Sequence, residues 1–170
     1  KNSFFKHIIK AAKSGADLIK IQSYEAVDMT VKSTNKKFII SKGLWKKKSL
    51  WDLYKKAQTP FEWHKEAFNL AKKIKIPIFS TPFSIRAVEM LERLKTPLYK
   101  IASFEITDLK LIDRIAKTRK PVIISTGMAN LQEIKNVVNL IKKYHKNIIL
   151  FYFVSGYPTP ENEVNLLNIE

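Results

Sequence analysis

KIPIFSTPF (75–83), KTPLYKIASF (95–104) and RKPVIISTGM (119–128) read as three versions of one phrase. In each, a basic residue, one further residue and a proline precede a short apolar run, and hydroxyl or amine side chains close it. Proline suits the first residue of a strand, where no ladder donor is lost. Each run is followed by a helical period, over about 84–94, 108–118 and 131–144, the last opened by the capping pair Asn130 and Glu133. The same alternation extends outward. Phe4, Ile8, Ala11 and Ala12 share one face of a helix that Ser14-Gly15 stops, and DLIKIQSY (17–24) is the next strand. A lysine-rich connection (25–58) holds a short helix near 50–57. Thr59-Pro60-Phe61-Glu62 then predicts a helix, capped by Thr59 and running to about Lys75. The last strand is 147–154, and a further helix begins near Pro160.

Strand and helix repeating in this way predict a parallel sheet with right-handed crossovers. An open doubly wound sheet and a (β/α) barrel both satisfy that pattern. The open sheet would draw support from a phosphate-binding glycine turn. The chain has four glycines, at 15, 43, 127 and 156, with neither GxGxxG nor GxxxxGK[ST]. Dinucleotide-binding and P-loop readings therefore lose their main support.

Composition narrows the class further. At 170 residues, 45% hydrophobic and 11% aromatic, the chain is too apolar for disorder. The absence of cysteine removes disulfide scaffolds, thiolate nucleophiles and thiolate metal sites. The longest apolar run, 148–154, is far short of the roughly 20 residues a membrane span needs. No membrane partner is expected. With no charged-then-apolar leader, a cytoplasmic place is. The first residue is Lys1 rather than a start Met, which fits a trimmed or incomplete chain. The net charge of +16 invites a nucleic-acid reading, yet it comes from 27 Lys and only 4 Arg. Binders that fork phosphates or read bases draw more on Arg. Lys, Ile and Asn are inflated together, and all have A/T-rich codons, so a biased genome explains the charge. A basic nucleic-acid-binding module stays as the alternative of another class.

The chemistry gathers at one end of the repeat. The C-terminal ends of the strands carry Lys20 and Gln22; Ser80 and Thr81; Lys100, Ser103 and Glu105; Ser125 and Thr126; then Ser155 and Tyr157. A parallel barrel delivers all those ends to one face, where active sites of that fold lie. Lys20 and Lys100 each interrupt an apolar strand. Alternation puts Lys20 with Gln22 on the face opposite Ile19 and Ile21, so both lysines are expected to point inward. A buried ammonium is costly without a partner, and an anionic ligand would be one; an internal carboxylate would be another. The hydroxyls read equally as helix caps or as a cradle for phosphate or carboxylate. Glu105 is the acid at this mouth, fit for acid–base work or for pairing with a lysine. A Schiff-base role for Lys20 or Lys100 is a second enzyme reading. His7, His64 and His145 form no HxxxH or HExxH pairing, so no metal site is expected from them.

The succession ADLIKIQSY (16–24), STPF (80–83), YKIASFEI (99–106), KPVIISTGM (120–128) and VSGYP (154–158) resembles the sialic acid synthase family. Enzymes of that family condense phosphoenolpyruvate with an acylamino sugar and water, giving a nonulosonic acid and phosphate for surface glycans. Within it, LWDLYKKAQTPFEWH (50–64) with KIASFEITD (100–108) is most similar to the pseudaminic acid branch, whose sugar is a 2,4-diacetamido-2,4,6-trideoxy hexose. The N-acetylneuraminate and legionaminate branches are the alternatives. The resemblance implies that Lys20, Thr81, Lys100, Ser103 and Ser125 contact phosphoenolpyruvate. It also implies that Gln22, Glu105, Ser155 and Tyr157 lie by substrate. Glu105 and Lys100 are the candidate catalytic residues. Ser155 stands where the neuraminate branch commonly has Asn.

The resemblance further implies a divalent metal (Mn or Mg), a homodimer, and a C-terminal antifreeze-like domain. In this family a first strand carries a Glu, and the metal-binding histidines lie in later strands. Neither feature falls within 1–170, so metal ligands are expected outside this chain. By that pattern, 1–170 is a partial TIM-type α/β barrel domain holding about strands two to six of eight, with both sheet edges open.

Overall fold

The computed structural model describes residues 1–156 and 158–169. The chain divides into two units, 1–95 and 96–170. The first unit runs α1 (Asn2–Lys13), β1 (Ile19–Ser23), α2 (Ala26–Met29), α3 (Leu50–Ala57), α4 (Phe61–Lys73), β2 (Ile78–Pro82) and α5 (Ile85–Arg93). The second runs β3 (Tyr99–Ile101), α6 (Leu109–Ala116), β4 (Val122–Ser125), α7 (Leu131–Lys142) and β5 (Ile148–Phe151). Strand and helix alternate as the sequence predicts.

In the first unit β1 and β2 pair in parallel, with Ile19 opposite Ile78, Ile21 opposite Ser80 and Gln22 opposite Thr81. Ile19, Ile21 and Ile78 point to the face covered by α1 and α4, where Ile8, Ala67 and Ala71 complete the core. In the second unit β3 and β4 pair in parallel, as do β4 and β5. Tyr99, Ile101, Val122, Ile124, Leu111, Ile112, Ile115, Val137 and Ile141 are all buried there. Strands buried on both faces read as continuous apolar runs, which is how β4 reads. No helix is long and apolar enough to cross a membrane among the described residues.

Helices α1, α4, α5 and α6 hand over to the strands that follow them by the same device. Gly15, Lys75, Lys95 and Arg119 adopt φ of 84°, 58°, 58° and 57°. These left-handed residues turn the chain at the helix end, a position where glycine is the usual choice. Two residues beyond Lys75, Lys95 and Arg119 stands a proline. The prolines lie just before the strands rather than within them, a correction to the expected boundaries. Their carbonyls still serve the ladder: Ile19 N donates to Pro77 O and Tyr99 N to Pro121 O, each at 3.0 Å.

The helix starts follow side-chain chemistry. Ser84 accepts from Ala87 N and Asp108 from Leu111 N. Asn130 and Glu133 form the expected reciprocal pair. Helix α4 departs from expectation, because Pro60 rather than Thr59 occupies its cap position and no side chain caps it. The helix expected near Pro160 is two 3-10 turns, Glu161–Glu163 and Leu166–Ile169. A 3-10 turn also spans Ser103–Thr107, where none was foreseen. The long connection after α2 closes on itself through an antiparallel bridge between Ile39 and Ser49, and residues 41–48 of it are exposed throughout.

Candidate active site

The first unit supplies one set of strand-end side chains. Because β1 alternates, Ile19, Ile21 and Ser23 are buried while Lys20 and Gln22 are exposed on the opposite face. Register places Lys20 beside Phe79 and Gln22 beside Thr81, which is buried. Lys20 therefore faces as expected but is open to solvent rather than enclosed. Partial desolvation still lowers the pKa of its ammonium. A groove of about 430 Å³ runs along β1, lined by Lys20 and Gln22 with Phe4, His7, Tyr24 and Thr59.

Ser80 does not join that face. Its hydroxyl donates to Ile21 O (3.0 Å) and lies 2.6 Å from Ser23 Oγ, on the side toward α4. The period of two sends Ser80 and Thr81 to opposite faces. Ser23 also lies 2.8 Å from His64 Nε2. Neither Ser23 nor His64 stood out in the sequence, where they are 41 residues apart.

The second unit supplies the other set. Lys100 is buried to 9% exposure. Its ammonium donates to Ile101 O at 3.0 Å and to Ser125 Oγ, and lies 5.9 Å from the centre of the Phe151 ring. Ser125 and Ser103 are buried, the latter at the start of the 3-10 turn. Ser155 is exposed. Gly127 lies between these hydroxyls: a Cβ there would meet Ser155 Oγ at 2.6 Å, Phe153 O at 2.7 Å and Ser103 Oγ at 3.1 Å. Thr126 is engaged elsewhere, donating to Phe151 O (3.0 Å) and so tying β4 to β5. Tyr157 lies outside the described residues.

Glu105 rides on the same 3-10 turn, half-buried, and its Oε2 is buried without a hydrogen-bond partner. Desolvation raises its pKa, and the nearby Asp108 carboxylate adds to that; a backbone hydrogen bond and the Lys100 ammonium pull the other way. Burial wins, so the carboxyl holds its proton to higher pH than a free glutamate. Such a group suits proton transfer to a developing oxyanion.

Similarity to known proteins covers nearly the whole chain. The model of the NeuB family matches residues 7–170. The chain belongs to the NeuB family. It is 47% identical over 164 residues to a pseudaminic acid synthase of Helicobacter pylori, spanning 96% of this chain and 48% of that one. An N,N'-diacetyllegionaminic acid synthase of Campylobacter jejuni is 39% identical, over 92% of this chain and 48% of its own length. Among solved structures, an N-acetylneuraminic acid synthetase of Leptospira borgpetersenii, crystallised with citrate, superposes with a TM-score of 0.82 at 29% identity. That match covers 97% of this chain and 53% of the other. The α/β fold of this NeuB-family chain is thus the partial TIM-type barrel expected. The chain spans about half the length of the curated relatives it matches. Among its described residues no group of three or more His, Cys, Asp or Glu side chains gathers to hold a metal ion. The residues present do not fit a metal site.

Proposed function

We propose that this chain contributes the phosphoenolpyruvate-handling part of a nonulosonate synthase of the pseudaminic acid type. The observation that carries the reading is the Lys100 ammonium, buried at a strand end and bonded to Ser125, with Ser103 and Ser155 gathered around Gly127. A buried cation among hydroxyls is complementary to a carboxylate or phosphate. The 47% identity to the Helicobacter pylori enzyme supports the choice of branch. N-acetylneuraminate and legionaminate remain the competing products.

In the proposed reaction C3 of phosphoenolpyruvate attacks the aldehyde of the open-chain 2,4-diacetamido-2,4,6-trideoxy hexose. Positive charge develops at C2, water adds there, and phosphate leaves with cleavage of its C–O bond. Lys100 and Lys20 neutralise the anionic substrate, while Thr81, Ser103 and Ser125 donate or accept at its carboxylate and phosphate oxygens. Gln22, Ser155 and Tyr157 border the substrates. Glu105, whose pKa is raised by burial, hands a proton to the aldehyde oxygen as the new bond forms. No step is assigned to a metal through these residues; a Mn or Mg ion would depend on ligands other than the side chains described. A homodimer and a cytoplasmic place belong to the same proposal for the whole protein.

The test is product formation by the whole protein from phosphoenolpyruvate and the diacetamido sugar, with phosphoenolpyruvate labelled at its bridging oxygen. The label is expected in the released phosphate, and Lys100→Ala and Lys20→Ala should each abolish most turnover. No nonulosonate from any acylamino sugar would sink the reading. Trapping of a covalent adduct by borohydride would favour the Schiff-base alternative instead.

A further inference from the structure

A line of four polar contacts crosses the interior of the first unit. His64 Nδ1 lies 3.1 Å from Pro60 O, His64 Nε2 lies 2.8 Å from Ser23 Oγ, Ser23 Oγ lies 2.6 Å from Ser80 Oγ, and Ser80 Oγ lies 3.0 Å from Ile21 O. All three side chains are fully buried, at 0% exposure. The Phe61 ring packs edge-on to the imidazole at 5.6 Å. No solvent reaches this Ser–His pair, so it is no nucleophile.

The two carbonyls at the ends set the direction of the protons. A carbonyl can only accept, so Nδ1 carries a hydrogen and donates it to Pro60 O. In the neutral ring Nε2 is then a bare acceptor. Ser23 donates to it, and the single Ser80 hydrogen is shared between Ile21 O and Ser23 Oγ. Three hydrogens thus serve the four contacts. Burial disfavours the imidazolium, while the carbonyls of Pro60, Phe61 and Gln22 and the carboxylate of Glu62 favour it; burial prevails and lowers the pKa.

The position of the line gives it a use. Ser23 follows Gln22 on β1 and Ser80 precedes Thr81 on β2, and Gln22 and Thr81 are register partners on the opposite face. The same buried bonds therefore lock two strand ends and the first turn of α4 into one frame. Aliphatic residues would fill these sites with no demand on angle; a hydrogen-bonded polar line imposes one geometry. We propose that neutral His64, acting through Ser23 and Ser80, is a positioning residue that holds Gln22 and Thr81 in place for the anionic substrate. This rests on the functional reading above, in which that face meets phosphoenolpyruvate.

The experiment compares phosphoenolpyruvate binding, by calorimetry on the whole protein, for the unaltered chain, His64→Phe, Ser23→Ala and His64→Gln. Folded fraction is fixed for each by circular dichroism. His64→Phe and Ser23→Ala should each weaken binding about tenfold or more, since small misplacements of substrate-holding groups are costly. His64→Gln, which keeps an acceptor near Nε2, should recover most of that loss. The double variant should be no worse than the worse single one, because both cut the same line. Nitrogen-15 shifts of the imidazole should report Nδ1–H with Nε2 accepting at pH 7. Folded single variants that bind as tightly as the unaltered chain, or a proton on Nε2, would overturn the positioning role alone. An unaltered chain that binds no phosphoenolpyruvate would overturn the functional reading and this proposal with it.

Discussion

A Cβ at Gly127 would stand 2.6 Å from Ser155 Oγ, so these two residues share a space that only a hydrogen at 127 leaves free. Gly127 does not take a left-handed φ. Its backbone would accept alanine; its surroundings would not. Gly127→Ala should push Ser155 and the Phe153 carbonyl away and loosen Ser103. We expect a stability loss of about 1–3 kcal/mol by urea unfolding, as for other overpacked sites. Phosphoenolpyruvate affinity should fall at least about tenfold. Ser155→Gly in the Gly127→Ala background relieves the side-chain clash and should recover part of the stability.

Lys100 separates function from folding. Lys100→Met keeps the aliphatic stem and removes the charge, so turnover by the whole protein should fall roughly a hundredfold, the loss of a charge-assisted contact to an anion. Tm should move by no more than a few degrees, because the buried ammonium is costly to hold in the fold. A large fall in Tm with turnover per folded molecule intact would assign Lys100 to the core instead.

Much of this was legible in the chain and some could not be. The cap Asn130 announces its helix because a short acceptor before an apolar period has few other uses, while the capping roles of Ser84 and Asp108 emerge only in the structure. The 3-10 turn at 103–107 hid, since five residues carry no readable period, and it is the turn that carries Ser103 and Glu105. Ser80 was grouped with Thr81 by adjacency, whereas the pleat separates them. The Ser23–His64 bond joins residues 41 apart and exists only once β1, β2 and α4 are packed. Lys20 was placed on the correct face, but its exposure depends on what covers that face, which a local pattern does not encode.

The raised pKa of Glu105 has a signed consequence for stability. A carboxyl that keeps its proton longer in the fold than in the unfolded chain stabilises the fold fully below the unfolded value, near 4.5. That contribution is lost as pH rises through the folded value. Glu105→Gln, neutral at every pH, should therefore raise Tm at pH 7 by a few degrees and leave it nearly unchanged at pH 4. The same variant should be deficient in turnover, which a purely structural glutamate would not be. Thermal melts at the two pH values decide it.

The left-handed joints are over-paid in strain. Lys75, Lys95 and Arg119 hold φ near 58° without being glycine, a conformation less favourable for any residue with a Cβ. Lys75→Gly, Lys95→Gly and Arg119→Gly should each stabilise by about 0.5–1 kcal/mol, the gain in the fold exceeding the added freedom of the unfolded chain. Activity should be untouched, because these residues precede the strands and the chemistry follows them.

Those joints also decide where the chain can be cut and rejoined. Each of these passages from helix to strand is made in four or five residues, with the left-handed turn at one fixed point. New chain termini opened there would have to unwind a helix or unzip a ladder. The exposed stretch 41–48, closed at its base by the Ile39–Ser49 bridge, tolerates such surgery far better. Circular permutants and inserted reporters belong in that stretch.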